Sequence, residues 1–161
     1  MSTPDELQDK LWKALESDHT LMLGVPEAEY GHLRPMTALL DGRHSPLWFF
    51  ARRPNALIDM ADGQRTAVAS FVDKGHDLFA CLSGTLHVHD GPSVVERLWR
   101  PSFASWFEGK DDPRLVLLRF DATHAEIWQG GNTLLDGIKT LLGKIDPDRL
   151  HADEHASVDL R

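Results

Sequence analysis

Arg34-Pro35-Met36-Thr37 is the stretch of this chain best equipped to hold an anion or a polar heterocycle. It falls inside a run of strand-forming residues, Gly31 to Leu40, where Pro35 cannot donate a ladder hydrogen bond, so a break in pairing is expected. The break frees neighbouring backbone N–H and C=O groups, and Arg34 adds a planar fork of donors suited to a phosphate or a ring carbonyl. On spacing alone the same residues read more simply as an edge-strand proline beside a surface arginine. Further on, Arg52-Arg53-Pro54-Asn55 follows Leu47-Trp48-Phe49-Phe50 and opens a helix. Two guanidinium groups and the N–H groups of a first helical turn then lie together, a plausible anion site or simply a solvated basic turn. Trp128 closes an alternating strand ahead of Gln129-Gly130-Gly131. A large aromatic there can pack on a flat heterocycle, on a partner subunit or into a core.

Other patterns are weaker. His87 and His89 share a strand face with Asp90 following, but no third metal ligand is fixed by the sequence. His151-Ala-Asp-Glu-His155 has helical ligand spacing, yet Glu154 adjoins the second histidine, unlike HExxH zinc enzymes, and a solvated tail is the expectation. Gly131 and Gly137 enclose five residues rather than four, which is not a P-loop. No GxSxG elbow or paired-cysteine pattern is present, which argues against acyl transfer and structural zinc. The one cysteine, Cys81, sits in the apolar run Leu78 to Leu82 and is expected to fill the core.

The chain has 161 residues, 42% apolar and 26% charged, the balance of one globular domain. Its formal net charge of −8 opposes non-specific attraction to nucleic acid, so an anionic ligand must be held locally. No apolar run approaches the ~20 residues that span a bilayer, and no secretory layout opens the chain, so a cytoplasmic protein without membrane attachment is expected.

The elements that must position these residues follow from local chemistry. Thr3-Pro4-Asp5-Glu6 is a helix start with a capping box, and Leu7, Leu11, Ala14 and Leu15 give one apolar face up to about Ser17. Strand composition recurs at Thr20 to Val25, Gly31 to Leu40, Pro46 to Ala51, Arg65 to Val72, His76 to Val88, Leu115 to Phe120 and Thr123 to Gln129. Turn residues separate several of these at Asp41-Gly42, Lys74-Gly75 and His89-Asp90-Gly91. Short connections predict an antiparallel sheet that closes on itself, mainly β, with peripheral helices at Pro54 to Ala61, Pro92 to Trp99, Pro101 to Phe107 and Asn132 to Leu142. One domain over 1–145 and a tail over 146–161, frayed from His151 onward, are expected.

In their shared order, several segments resemble the general stress protein branch of the pyridoxamine 5′-phosphate oxidase-like family. They are Gly31 to Thr37 with its Arg-Pro-Met signature, Leu47-Trp48-Phe49-Phe50, Leu82-Ser83-Gly84-Thr85, Leu98-Trp99, Trp106-Phe107 with Asp111-Asp112-Pro113, and Ala125-Glu126-Ile127-Trp128. The resemblance runs from the first helix to about Leu142. It implies a six-stranded antiparallel split barrel that forms a homodimer and binds FMN, with FAD as the alternative, in a groove between subunits. By resemblance Arg34, Pro35, Met36 and Thr37 lie at the flavin, Phe50, Ala51, Arg52 and Arg53 line its ribityl and phosphate end, and Trp128 approaches from the other subunit. Two departures stand out: Leu57 occupies the place of a phosphate-binding lysine, and Leu134-Leu135-Asp136-Gly137-Ile138 replaces the cationic run of the true oxidases. Without those cations a buried substrate phosphate would be unpaired. The implied function is a flavin-binding stress protein, a flavin-dependent oxidoreductase of unknown substrate rather than a pyridoxamine phosphate oxidase. The alternative is a split-barrel interaction protein with weak or lost flavin binding.

Overall fold

A computed structural model describes residues 2–130 and 154–161. Helix α1, Pro4–Ser17, begins on the capping box: Thr3 Oγ1 accepts from the Glu6 N–H at 3.2 Å and the Glu6 carboxylate accepts from the Thr3 N–H at 2.8 Å. Leu7, Leu11, Trp12 and Leu15 then recur on one face and are all buried, so the helix is held by packing rather than by propensity alone.

Among the described residues the chain forms eight strands: β1 Thr20–Gly24, β2 Arg34–Thr37, β3 Leu39–Leu40, β4 Leu47–Arg52, β5 Arg65–Val72, β6 Leu78–Val88, β7 Leu115–Gln129 and β8 Glu154–Asp159. All pairs are antiparallel and the order is β2-β1-β5-β6-β7-β4-β3, with β8 joined to β7. The two ends of that order, β2 and β3, are separated in the chain by Ala38 alone. The sheet is thereby closed into a barrel by the backbone itself. Ala38 is fully buried and its N–H donates to the His19 carbonyl at 2.6 Å. The short helix α2, Ala56–Met60, connects β4 to β5, and α3, Pro92–Leu98, with a 3₁₀ turn at Pro101–Ser105 after it, connects β6 to β7.

The strand β7 has two lives along one edge. It pairs with β6 from Leu118 to Gln129, with β4 at Leu115–Phe120 and with β8 at His124–Gln129. A register shift between Ser83 and Gly84 absorbs one extra residue of β7. Only glycine fits at 84, because a Cβ there would overlap the Asp121 carbonyl oxygen. The inward residues of β6 and β7 alternate as a half-buried sheet should: Leu78, Ala80 and Leu82, then Ala125 and Ile127, enter one core with α1.

Several expectations change. The run Gly31 to Leu40 divides into two strands at Ala38, and Leu115 to Gln129 is one strand rather than two, which with β8 exceeds the six strands expected. His151 onward is not a frayed tail throughout: residues 154–159 form β8, burying Ala156 and Val158. His155 therefore belongs to a strand and has no helical ligand spacing. Cys81 is not core filling; it alternates with the inward residues and lies half-buried on the outer face, opposite Glu126. His89-Asp90-Gly91 leads into α3 instead of a hairpin. The expected helix Asn132 to Leu142 and the segment Leu134 to Ile138 lie outside the described residues. No helix among them is long and apolar enough to cross a membrane.

Candidate functional site

Barrel closure sets the geometry of β2 and β4. Leu39 and Leu40 pair with Trp48 and Leu47, and β2 lies beside β4 without forming a ladder with it. On its other edge β2 pairs with β1, Pro35 opposite Met22. The ladder to β1 runs through Pro35 without the expected interruption; β2 is an edge strand, and its side facing β4, here called the seam, has no ladder partner among the described residues.

The side chains around the seam are unevenly committed. The Arg34 guanidinium donates to the Glu29 carboxylate, from a tight turn in which Glu29 and Tyr30 both adopt positive φ, 48° and 59°. Met36 packs against the core, and Ala51 is buried. The Phe50 ring is enclosed by Trp99, Phe103 and Phe107, its centroid 5.2 Å from that of Phe103 in an edge-on contact. Arg52 and Arg53 are exposed, and neither guanidinium has a carboxylate partner among the described residues. The helix that follows them does not complete an anion cradle as expected. Asn55 Oδ1 already accepts from the Leu57 N–H at 2.9 Å, leaving the two arginines as the positive charge. Leu57 is fully buried in the core, so no ligand reaches its side chain.

Trp128 lies on β7, on the part of that strand that pairs with β6 and β8 rather than with β4. In the strand order β1, β5 and β6 lie between β2 and β7. There Trp128 stands on the outer face opposite Phe79, with its ring stacked on His155 at 5.1 Å. Met22 on β1, Val72 on β5 and Trp128 on β7 are each about 40% exposed, on a sheet face crossed by Ser70, Cys81 and Glu126.

The same face carries a polar network. Glu126 takes hydrogen bonds from the imidazoles of His124, at 2.8 Å, and His155, while Ser157 lies 3.3 Å from His124. Those partners, His124 first, hold the Glu126 carboxyl down to about 2. This network is absent from the sequence reading. The alternation His124, Glu126, Trp128 was there to be seen, but β8 supplies the other half.

His87 and His89 have different partners: His87 Nδ1 lies 3.8 Å from Asp121, and His89 meets the Trp48 ring edge-on at 5.0 Å. Among the described residues no group of three His, Cys, Asp or Glu side chains is placed to hold a metal ion. Two neighbouring clefts of about 740 and 490 Å³ share Arg53 and Asp90, and each has further carboxylates in its wall, Asp59 and Asp62 in one, Glu96 and Asp111 in the other. A smaller cavity of about 390 Å³ opens beside Thr37 and has no acidic residue in its wall.

The family model described as pyridoxamine 5′-phosphate oxidase like matches residues 6–150, and the chain belongs to that family. A general stress family protein of Xanthomonas campestris pv. campestris is 55% identical, with 81% of this chain and 92% of that one aligned at a TM-score of 0.77. The general stress FMN/FAD binding protein of Xanthomonas citri is 53% identical over 78% of this chain and 89% of its own, TM-score 0.74. General stress protein 26 of Bacillus subtilis is 26% identical over 55 residues, 34% of this chain; the chain spans only 39% of that protein's length in the match. The mainly β, nearly closed antiparallel barrel expected from the sequence is the fold observed.

Proposed function

We propose that this chain is a flavin-binding protein of the general stress type, holding FMN, or FAD, in a groove completed by a second copy of itself. The observation that carries the reading is the seam: a strand edge without ladder partners, Arg34 to Thr37, set beside Phe50 to Arg53, whose two arginines have no carboxylate partner among the described residues. Flavin binding by the Xanthomonas citri protein, at 53% identity, supports it.

The residues fit the group in three ways. Free backbone groups of β2 can hydrogen-bond the polar edge of a flat ring, Arg52 and Arg53 can pair with a phosphate dianion, and Met36 and Ala51 set an apolar floor. The flavin, when bound, supplies hydride or electron transfer; the chain holds the ring, excludes water from it and tunes it through hydrogen bonds and local charge. No protein nucleophile is required, so the oxidoreductase reading needs none. Trp128, exposed on the outer face of β7, reaches such a groove from a second protomer. Met22, Val72 and Trp128 give that protomer an apolar face to seat on.

A second reading, a split-barrel stress protein that binds flavin weakly and works through interactions, is favoured by two observations. Leu57 is sealed in the core, and Arg34 is engaged with Glu29. Titration of FMN and FAD fluorescence separates the two: saturable quenching with a dissociation constant at or below micromolar, ~8 kcal/mol or more, supports the first. No quenching at tens of micromolar protein leaves the second.

A further inference from the structure

The 390 Å³ cavity beside Thr37 has a composition unlike its larger neighbours. Its walls are largely apolar, from Leu98, Phe103 and Trp106 among others, and its polar groups are His19, Thr37, Ser102 and Arg100. In a chain of net charge −8, a cavity of ligand size with an arginine and a histidine in its wall and no carboxylate is selective by construction. We propose that it is a binding site for a small planar apolar carboxylate, an aromatic acid of one or two rings.

Each part of that ligand has a counterpart. Arg100 Nη1 donates to the carbonyl oxygens of Arg97 at 3.2 Å and Trp99 at 3.1 Å, which anchors the guanidinium plane. Its Nε and Nη2 have no partner among the described residues, the free edge that a carboxylate pairs with. The anchoring lowers the entropy lost on binding. His19 Nδ1 is spent on the Ala38 carbonyl at 3.0 Å, which orients the ring and leaves Nε2 free. Phe103 is fixed edge-on against Phe50 and Trp99, and Trp106, 58% exposed, stands at the rim. Aromatic walls of this kind favour a flat ring over an alkyl chain. That the carboxylate is a substrate rests on the flavin reading above, since Thr37 belongs to both the seam and the cavity; that it binds does not.

Calorimetric titration of the whole chain with 2-naphthoate, and with its neutral isostere 2-naphthamide, tests this in the absence of flavin and again at saturating FMN. Saturable naphthoate binding, at least tenfold tighter than the amide, is expected. Arg100→Gln should weaken naphthoate at least tenfold and leave the amide unchanged, while Arg100→Lys recovers part of the loss. Trp106→Glu, at an exposed rim position with little to lose in folding, should repel naphthoate selectively. Equal affinity for acid and amide, or indifference to Arg100→Gln and Trp106→Glu, overturns the proposal. So does one-for-one displacement of FMN by naphthoate, which would make the cavity part of the flavin seat. Naphthoate binding to a protein that fails to quench flavin would uphold the cavity and end the flavin reading instead.

Discussion

Trp128 and His155 stack with their ring planes 24° apart, so the last described strand is pinned to β7 at the residue that the flavin reading sends across to a partner. The same histidine bonds Glu126. Strand β8 therefore does not merely extend the sheet; it fixes the rotamer and the exposed area of Trp128.

Acid should loosen that arrangement within a defined window. The Glu126 carboxyl sits at about 2 in the folded chain against an ordinary 4.5, held down by His124, His155 and Ser157. A depressed folded value contributes stability that is fully present above 4.5 and lost as pH falls through about 2. Glu126→Gln should remove this share of the acid sensitivity, measured as hydrogen exchange of β8 amides between pH 4.5 and 2. Superimposable acid profiles for the two proteins would show that the network carries no weight.

Arg34 offers a test in both directions. Glu29 engages its guanidinium in the free protein, so Glu29→Gln should release it and tighten flavin binding, while Arg34→Ala should weaken it. A charge-assisted hydrogen bond is worth ~1.5–3 kcal/mol, so changes of about tenfold or more are expected by fluorescence quenching. Loss of binding in both variants would mean that the Arg34–Glu29 pair serves the fold of the turn and not the ligand.

Much of this architecture is legible locally and some of it is not. The capping box at Thr3 and Glu6 and the span Arg65–Val72 agree with the structure residue for residue, because a cap and an alternating strand are written in neighbouring side chains. Strand β8 is not: Glu154 to Asp159 offers only Ala156 and Val158 as inward apolar groups, and its stability comes from a ladder to β7, close in space but some thirty residues away in the chain. Asp121 and Ala122 read as a break because β7 carries one extra residue there, Thr123, which the ladder to β6 absorbs opposite Ser83/Gly84. At the seam the residue types around Arg34 and Arg52-Arg53 were visible. The commitment of Arg34 to Glu29, the burial of Leu57 and the cavity at Arg100 depend on packing between distant segments.

The outer sheet face gives an assembly prediction. Val72→Asp places a charge amid Met22, Phe79 and Trp128, at a position already 42% exposed, so the protomer should fold normally. Solution mass at micromolar concentration should fall from dimer to monomer, and flavin affinity should fall with it. A dimer that survives the change would move the shared groove elsewhere.

Gly84→Ala tests the bulge. A methyl group there meets the Asp121 carbonyl oxygen and the Ala122 backbone, which cannot yield without shifting β7 against β6. Overpacking of this kind costs ~1–3 kcal/mol or more, a fall of at least ~2–4 °C in Tm for each kcal/mol by thermal unfolding. An unchanged Tm would mean that the β6–β7 register tolerates more slack than its geometry suggests.

The lone buried link at Ala38 has a wider meaning for engineering and evolution of this barrel. Moving the chain termini to that point by circular permutation would keep every ladder while leaving two raw margins, β2 and β3, able to recruit strands from other molecules. Insertions that a surface loop would absorb are therefore forbidden here: one added residue would slide the rim of β2 past β4 and put the two halves of the proposed ligand seat out of step.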